Sequence, residues 1–330
     1  VKELLKQWKT ILISLAGILG IIFVCGIIGY VLFDKNTVIV AIPPLVGGIV
    51  SAIIMSGGAQ EAGLPTLAVF AIIIYVMQGF AGYPLTSIML KREGRKVLEK
   101  YRAGQWEESL DGSKGEKSEA VAAIEENAMP KMFSKVPSAY NTEYFQFLRL
   151  AFVGFLAYLT SKALEPIVAV SPFVLCLLYG VIASSVGFLE RHPLKKANGF
   201  GFAVMGLMLF IFDTLNRATP EMLLDLVTPL IVLIISAVIG MFIFAVVVGK
   251  VLKVSLEMAF SIALTALYGF PADYIITNEV INSLTQDETE RRVLTSHMLA
   301  PMLIGGFISV TMVSVVLAGI MVGMIVPVVG

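Results

Sequence analysis

Long apolar stretches separated by short polar punctuation run along almost the whole chain, and their lengths predict its elements. Residues 10–33 form one stretch, closed by Asp34-Lys35-Asn36. Residues 66–90 form a second, ending at Lys91-Arg92-Glu93-Gly94-Arg95-Lys96. After a polar segment come 144–163, 167–189, 199–216, 227–249 and 294–323. Each approaches or exceeds the roughly 20 residues a helix needs to cross a bilayer. Two further stretches, 37–65 and 254–285, are as apolar but are interrupted. The first holds Pro43-Pro44, Gly47-Gly48 and Ser56-Gly57-Gly58; the second holds Gly269 and Pro271, followed by Asp273, Thr277, Asn278 and Glu279.

Those interruptions carry the functional reading. Proline removes a backbone donor and clashes with the preceding turn, so carbonyls near residues 267–270 lose their helical partners. Lipid cannot satisfy them, and broken backbone at membrane depth survives only inside protein or along a watery cavity. The segment Ala266–Leu284 is therefore expected to wall an ion or solute site.

Charge sets the expected topology, because short segments rich in Lys and Arg stay in the cytoplasm. Lys2, Lys6 and Lys9 place the N-terminal end inside, and Lys91–Arg102 is inside too. An even number of crossings must lie between them, so one of three apolar segments does not cross. The interrupted one, 37–65, is expected to be a re-entrant hairpin; the alternative is a kinked but complete span. A second hairpin, 254–285, re-entrant from the cytoplasm, keeps Arg291 and Arg292 inside.

Each interrupted segment is preceded by one span (10–33, 227–249) and followed by another (66–90, 294–323). The leading spans run in opposite directions. Both following spans carry small residues mid-way, Gly79 and Gly82 in one, Gly305 and Gly306 in the other. Inverted-topology repeats with interrupted segments in corresponding places point to a secondary transporter's midplane site. The expected fold is an all-α polytopic membrane protein with inverted-topology repeats, each with a broken re-entrant helical hairpin. Residues 1–102 make the first repeat (hairpin 37–65), 103–143 a cytoplasmic linker with a short helix near 119–129, and 144–330 the second repeat with additional scaffold spans and hairpin 254–285. The spans within 144–216 have no counterpart before residue 10. Either more chain precedes Val1, which the missing Met favours, or the fold is asymmetric.

Composition agrees with the class. The 330 residues are 57% hydrophobic and 15% charged, against roughly 25% charged in soluble domains, and mean hydropathy is +0.88. Zero net charge gives no basic patch for nucleic acid. Cys25 and Cys176 lie in apolar runs without metal-ligand spacing. No signal peptide is read, since the first apolar run is too long and lacks a small-residue cleavage site. No phosphate-binding Gly-rich loop is present. Nor is there a His-Glu-x-x-His or facing-aspartate pair, so no enzyme is expected.

The candidate site residues follow. Ser56, Gly57 and Gly58 let backbone approach a ligand and can present free N–H groups to an anion; close helix packing uses the same residues. Gln60 and Glu61 adjoin them, Glu61 being equally readable as a loop acid. Gln78 can bond substrate or another helix, and Asn278 joins the substrate-binding set. Ion coupling is expected from Asp273, Thr277, Glu279 and Gly269. Asp273 and Thr277 share one helical face, where a carboxylate, a hydroxyl and freed carbonyls can ligate sodium. Ionisable groups within membrane segments are functional candidates by default, although Asp273 and Glu279 could simply be wet at a hairpin end. Asp213 and Arg217 are expected as an i, i+4 pair, Arg149 as a snorkelling residue, and His297 as a packing or interfacial residue.

The segments Ser56-Gly57-Gly58-Ala59-Gln60-Glu61-Ala62-Gly63 and Gly269-Phe270-Pro271-Ala272-Asp273, with Asn278-Glu279 beyond, resemble the elevator-type ion-coupled carboxylate transporters. The nearest likeness is to the bacterial sodium–glutamate symporter family. The first hairpin departs from that family in having no histidine among its glycines. The resemblance implies a transport domain, made of the hairpins and their following spans, that moves against a dimeric scaffold. It implies a small carboxylate or amino-acid substrate, sodium as driving ion, no other cofactor, and the plasma (inner) membrane as location. Rival readings are an ion channel and the membrane subunit of a sodium-translocating decarboxylase-like pump.

Overall fold

The computed structural model describes residues 7–105, 132, 141–164, 172–190, 193–216, 218–269 and 271–327. Most of the linker expected at 103–143, with its short helix at 119–129, lies outside these residues, as do Arg217 and Phe270. Among the described residues every regular element is helical, and five helices are long and apolar enough to cross a bilayer. The fold is that of an all-α membrane-type protein.

In chain order the described α-helices of eight residues or more are α1 (Trp8–Leu32), α2 (Lys35–Leu45), α3 (Ile49–Glu61), α4 (Pro65–Met77), α5 (Gly79–Arg102), α6 (Glu143–Leu164), α7 (Pro172–Ser185), α8 (Phe200–Asn216), α9 (Pro220–Val251), α10 (Leu256–Leu264), α11 (Ala272–Leu284), α12 (Glu288–Gly306) and α13 (Ser314–Met321). A π-helical segment, Phe307–Val313, joins α12 to α13. The polar punctuation seen in the sequence supplies the caps. Asp34 accepts from the Thr37 amide, Thr219 from Met222, Ser255 from Met258, and Asp287 from Thr289 and Glu290. Each satisfies amides that a helix start leaves without partners.

Several boundaries differ from expectation, with α9 starting at Pro220 and α12 at Glu288, before the stretches read as 227–249 and 294–323. The span expected at 66–90 is helical as far as Arg102, and its basic run is amphipathic: Leu90, Glu93, Gly94, Val97 and Leu98 are buried while the intervening Lys and Arg face out. The span expected at 167–189 is helical only over Pro172–Ser185 among its described residues, with turns at 186–189.

The chain divides into two compact units, residues 1–115 with 218–330, and residues 116–217. The spans read as additional scaffold thus form a unit of their own. In that unit α6 packs on α7. Arg149, expected to snorkel, is instead buried: it donates to Asn141 Oδ1 (2.9 Å) and the Phe188 carbonyl (3.2 Å) and lies 3.7 Å from Glu190.

The larger unit is built around α1 and α9. They run antiparallel, since Gly17 faces Met241 while Cys25 Sγ donates to the Leu233 carbonyl at 3.4 Å. They cross at Gly20 and Gly240, where a Cβ on either would sit 2.2 Å from the other's carbonyl oxygen. Small residues let membrane helices approach this closely.

The two ends of each interrupted segment lie beside the same neighbouring element. Asn36, opening α2, exchanges two 2.9 Å hydrogen bonds with the Val326 backbone, and Gly58, near the end of α3, lies against Val322. The start of α2 and the end of α3 therefore both lie beside residues 322–326. Likewise Ser255, opening α10, bonds Glu93, and Leu284, ending α11, rests on Gly94. So α5 flanks both arms of the second pair, and α13 both arms of the first.

Candidate functional site

The two breaks meet. At the first, Pro43 and Pro44 close α2, and the chain turns through Gly47 and Gly48 with φ of 98° and 88°. At the second, a 3-10 turn (Thr265–Leu267) leads to Gly269 with φ of 65°. Only glycine adopts such angles without strain. Space forbids a side chain as well, because a Cβ on Gly47 would lie 2.2 Å from the Ala266 carbonyl oxygen.

Two interrupted long helices flank this contact. The π-helical segment presents Val310, whose side chain touches the α-carbon side of both Gly47 and Gly269. π-Helical turns recur at functional sites. Opposite, the α4–α5 span is interrupted at Gln78, which is fully buried and donates from Nε2 to the Pro44 carbonyl at 3.0 Å. Its Oε1 has no partner. Gly82 lies against Leu267 and Tyr268. The Tyr268 hydroxyl donates to Thr86 Oγ1 at 2.8 Å, and its ring packs 5.3 Å from that of Tyr83.

Asp273 stands in the first turn of α11, fully buried. Its Oδ1 accepts from the Tyr274 amide at 2.7 Å, while Oδ2 has no partner. Among the described residues no Lys, Arg or His pairs with it. Gly306 lies opposite: a Cβ there would be 2.4 Å from Oδ2. The neighbouring hydroxyls spend their protons on backbone carbonyls. Thr277 donates to Asp273 O (2.6 Å), Ser309 to Gly305 O (2.9 Å), Thr265 to Ile262 O (2.6 Å) and Ser14 to Gly305 O (3.3 Å). What remains on these groups is lone pairs. Those lone pairs suit a proton or a cation.

The expected site residues separate into two sets. Gln78, Gly269, Asp273 and Thr277 gather at the breaks or beside them. Ser56, Gly57, Gly58, Gln60 and Glu61 lie in the last turns of α3, about 12–20 Å along the helix from Gly48. There Ser56 is buried with an unpartnered Oγ, Gly58 packs on Val322, and Gln60 and Glu61 are exposed. On α11, Asn278 is half-buried and turns its amide to the Tyr274 carbonyl (2.8 Å), and Glu279 is exposed.

A second polar cluster was not foreseen. Glu93, buried on α5, accepts from Ser255 Oγ at 2.7 Å and pairs with His297 Nε2 at 2.8 Å. Beside it Lys96 pairs with Glu257, and Arg102 grips Glu290 through two bonds of 2.7 and 2.9 Å. These contacts fasten α5 to α10 and α12. His297, expected as a packing or interfacial residue, is held by a carboxylate. The 3–4 spacing of Leu90, Glu93, Gly94 and Val97 is the signal that puts Glu93 on a buried face.

No known protein family and no curated protein matches this chain.

Proposed function

We propose that the protein is a secondary active transporter of a small organic anion or amino acid such as glutamate, driven by a monovalent cation, sodium or a proton. The observation that carries this reading is the meeting of two helix breaks, Gly47–Gly48 and Ala266–Gly269, beside a buried carboxyl with an unpartnered oxygen. Irregular backbone at that depth needs polar company, and transport sites supply it.

The order and packing of the helices support an inverted repeat. The series α1, α2, α3, α4–α5 is matched by α9, α10, α11, α12–α13. The leading helices run antiparallel, and each trailing helix flanks both arms of the other series' broken pair. In this reading the broken pairs are re-entrant hairpins, and the two trailing spans move with them against the leading helices. That is the elevator arrangement of the sodium–glutamate symporters the hairpin sequences resemble.

The test is uptake of labelled glutamate, aspartate and citrate into proteoliposomes under an inward sodium gradient, an inward proton gradient, or neither. Gradient-driven uptake that Asp273→Asn abolishes is the expected result. Ionic current without solute selectivity would replace the reading with a channel.

A further inference from the structure

We propose that one end of the larger unit binds the headgroups of anionic phospholipids, through the turn between α9 and α10 and the outward face of the last turns of α5. The binding does not rest on the transporter reading above.

A net charge of zero hides a segregation of charge between the two ends. The α4–α5 span, Pro65–Arg102, has 38 residues and is about 57 Å long as helix, so it overruns a hydrocarbon core of about 30 Å. Its cations begin at Lys91, about 39 Å along from Pro65, at a height where headgroups replace acyl chains. Lys91, Arg92, Arg95 and Lys100 are exposed there. Ser255 Oγ, bonded to Glu93 at 2.7 Å, holds the start of α10 against the same stretch. Lys250 and Lys253, in the turn just before Ser255, therefore stand at the same level.

The acids nearby are engaged or few. Glu93 is taken up by Ser255 and His297, and Glu257 by Lys96; Glu99 is the exposed acid left on residues 91–102. Among the described residues, Lys91, Arg95, Lys100, Lys250 and Lys253 form no ion pair. The opposite end has the other sign. Because α9 runs antiparallel to α1, its Glu221 and Asp225 lie toward Asp34, and Lys35 is the cation beside them.

Lys253 adds an observation of a different kind. Its φ is 58°, the left-handed conformation in which a helix ends most cheaply on glycine. The turn is built for that residue: the Lys253 amide donates to the Lys250 carbonyl at 3.2 Å, and the Val254 amide to the Gly249 carbonyl at 2.9 Å. Lysine there costs stability that glycine would not, and what it brings instead is a cation beside Lys250. Cations clustered where a span leaves the hydrocarbon attract anionic lipid, each strengthening the attraction about fivefold. The phosphate of a lipid headgroup is the complementary charge at that height.

Native mass spectrometry on the full chain, purified in neutral detergent and offered equal amounts of phosphatidylglycerol and phosphatidylcholine, tests this. The wild type is expected to retain phosphatidylglycerol in preference. Lys250→Gln with Lys253→Gln, or Lys91→Gln with Arg95→Gln, should lower that preference about fivefold or more, and Lys35→Gln should leave it unchanged. Lys253→Gly separates binding from folding: it should raise the thermal midpoint in detergent alone and still lower the preference. Equal retention of the two lipids by the wild type would overturn the proposal, as would a preference that survives both double changes. Loss of the preference on adding inorganic phosphate would give the surface to a free anion. A preference seen only after Glu107, Glu108 and Asp111 are changed to Gln or Asn would give it to the acidic segment that follows α5. Either result would also overturn the proposal.

Discussion

Replacing Gly20 by Ala is the sharpest test of how α1 and α9 are held. The new Cβ would lie 2.2 Å from the Gly240 carbonyl oxygen and 2.5 Å from its carbon. Ordinary C···O contacts sit near 3.3 Å or beyond, so the helices must part by roughly 1 Å. Both partners are backbone, and no flexible side chain can turn aside. Overpacking of this kind costs about 1–3 kcal/mol. Gly26, two turns along the same helix, has nothing within 4 Å of its Cβ position and is the matched control. Gly26→Ala is expected within about 1 kcal/mol of wild type, on the stabilising side. Unfolding by SDS titration in mixed micelles, followed by circular dichroism, reads the difference. Because Gly240→Ala blocks the same contact, the double variant is expected to cost less than the sum of the singles by about 0.5 kcal/mol or more. Equal midpoints for Gly20→Ala and Gly26→Ala would refute the reasoning.

Other expectations rest on single contacts. Tyr268→Phe removes the hydroxyl that donates to Thr86 at 2.8 Å, and a loss of about 0.5–1.5 kcal/mol is expected in the same titration. Glu93→Ala strips His297 and Ser255 of a shared carboxylate; about 1.5–3 kcal/mol should be lost, as for a hydrogen bond to a charged group. Burial pushes the Glu190 carboxyl up, but hydrogen bonds from Asn141 and Lys196, with the Lys196 and Arg149 charges, outweigh it and hold the group below the ordinary carboxylate value. A depressed carboxyl stabilises the fold above its unfolded value and loses that contribution as pH falls through the folded one. Thermal midpoints of wild type and Glu190→Gln should therefore differ by a constant amount at neutral pH and converge as the pH drops below about 4. A gap that stays open in acid would show the contacts to be electrostatically idle.

The helical class and the interruptions near Gly47 and Gly269 were legible because apolar runs and their punctuation are local signals. Asp34, Thr219, Ser255 and Asp287 mark helix starts by composition alone. Which glycines form the breaks was less legible. In the first pair the Ser56-Gly57-Gly58 cluster was read as the place where backbone approaches a ligand, yet Gly47 and Gly48 hold the positive φ angles at the break and Gly58 fills a contact with Val322. Glycine marks both uses alike, so only the partner across the contact separates them. The π-helical Phe307–Val313 is a plain apolar run with no signature of its own. Glu93 hid within a run of basic residues whose charges suggested water, whereas its helical position turns it inward. Asp273 and Gln78 could be singled out because a carboxyl and an amide inside apolar helices need partners that the sequence does not display.

The two ends of the larger unit are fastened by different chemistry, and this has a consequence for a molecule placed between two solutions. At one end, ion pairs join Lys96 to Glu257 and Arg102 to Glu290. At the other, Asn36 and Val326 are joined by uncharged bonds alone. Dissolved salt weakens exposed ion pairs over a screening length of about 8–10 Å and leaves neutral hydrogen bonds nearly untouched. Added salt is therefore expected to weaken the ion pairs of Arg102 with Glu290 and of Lys96 with Glu257 more than the bonds between Asn36 and Val326.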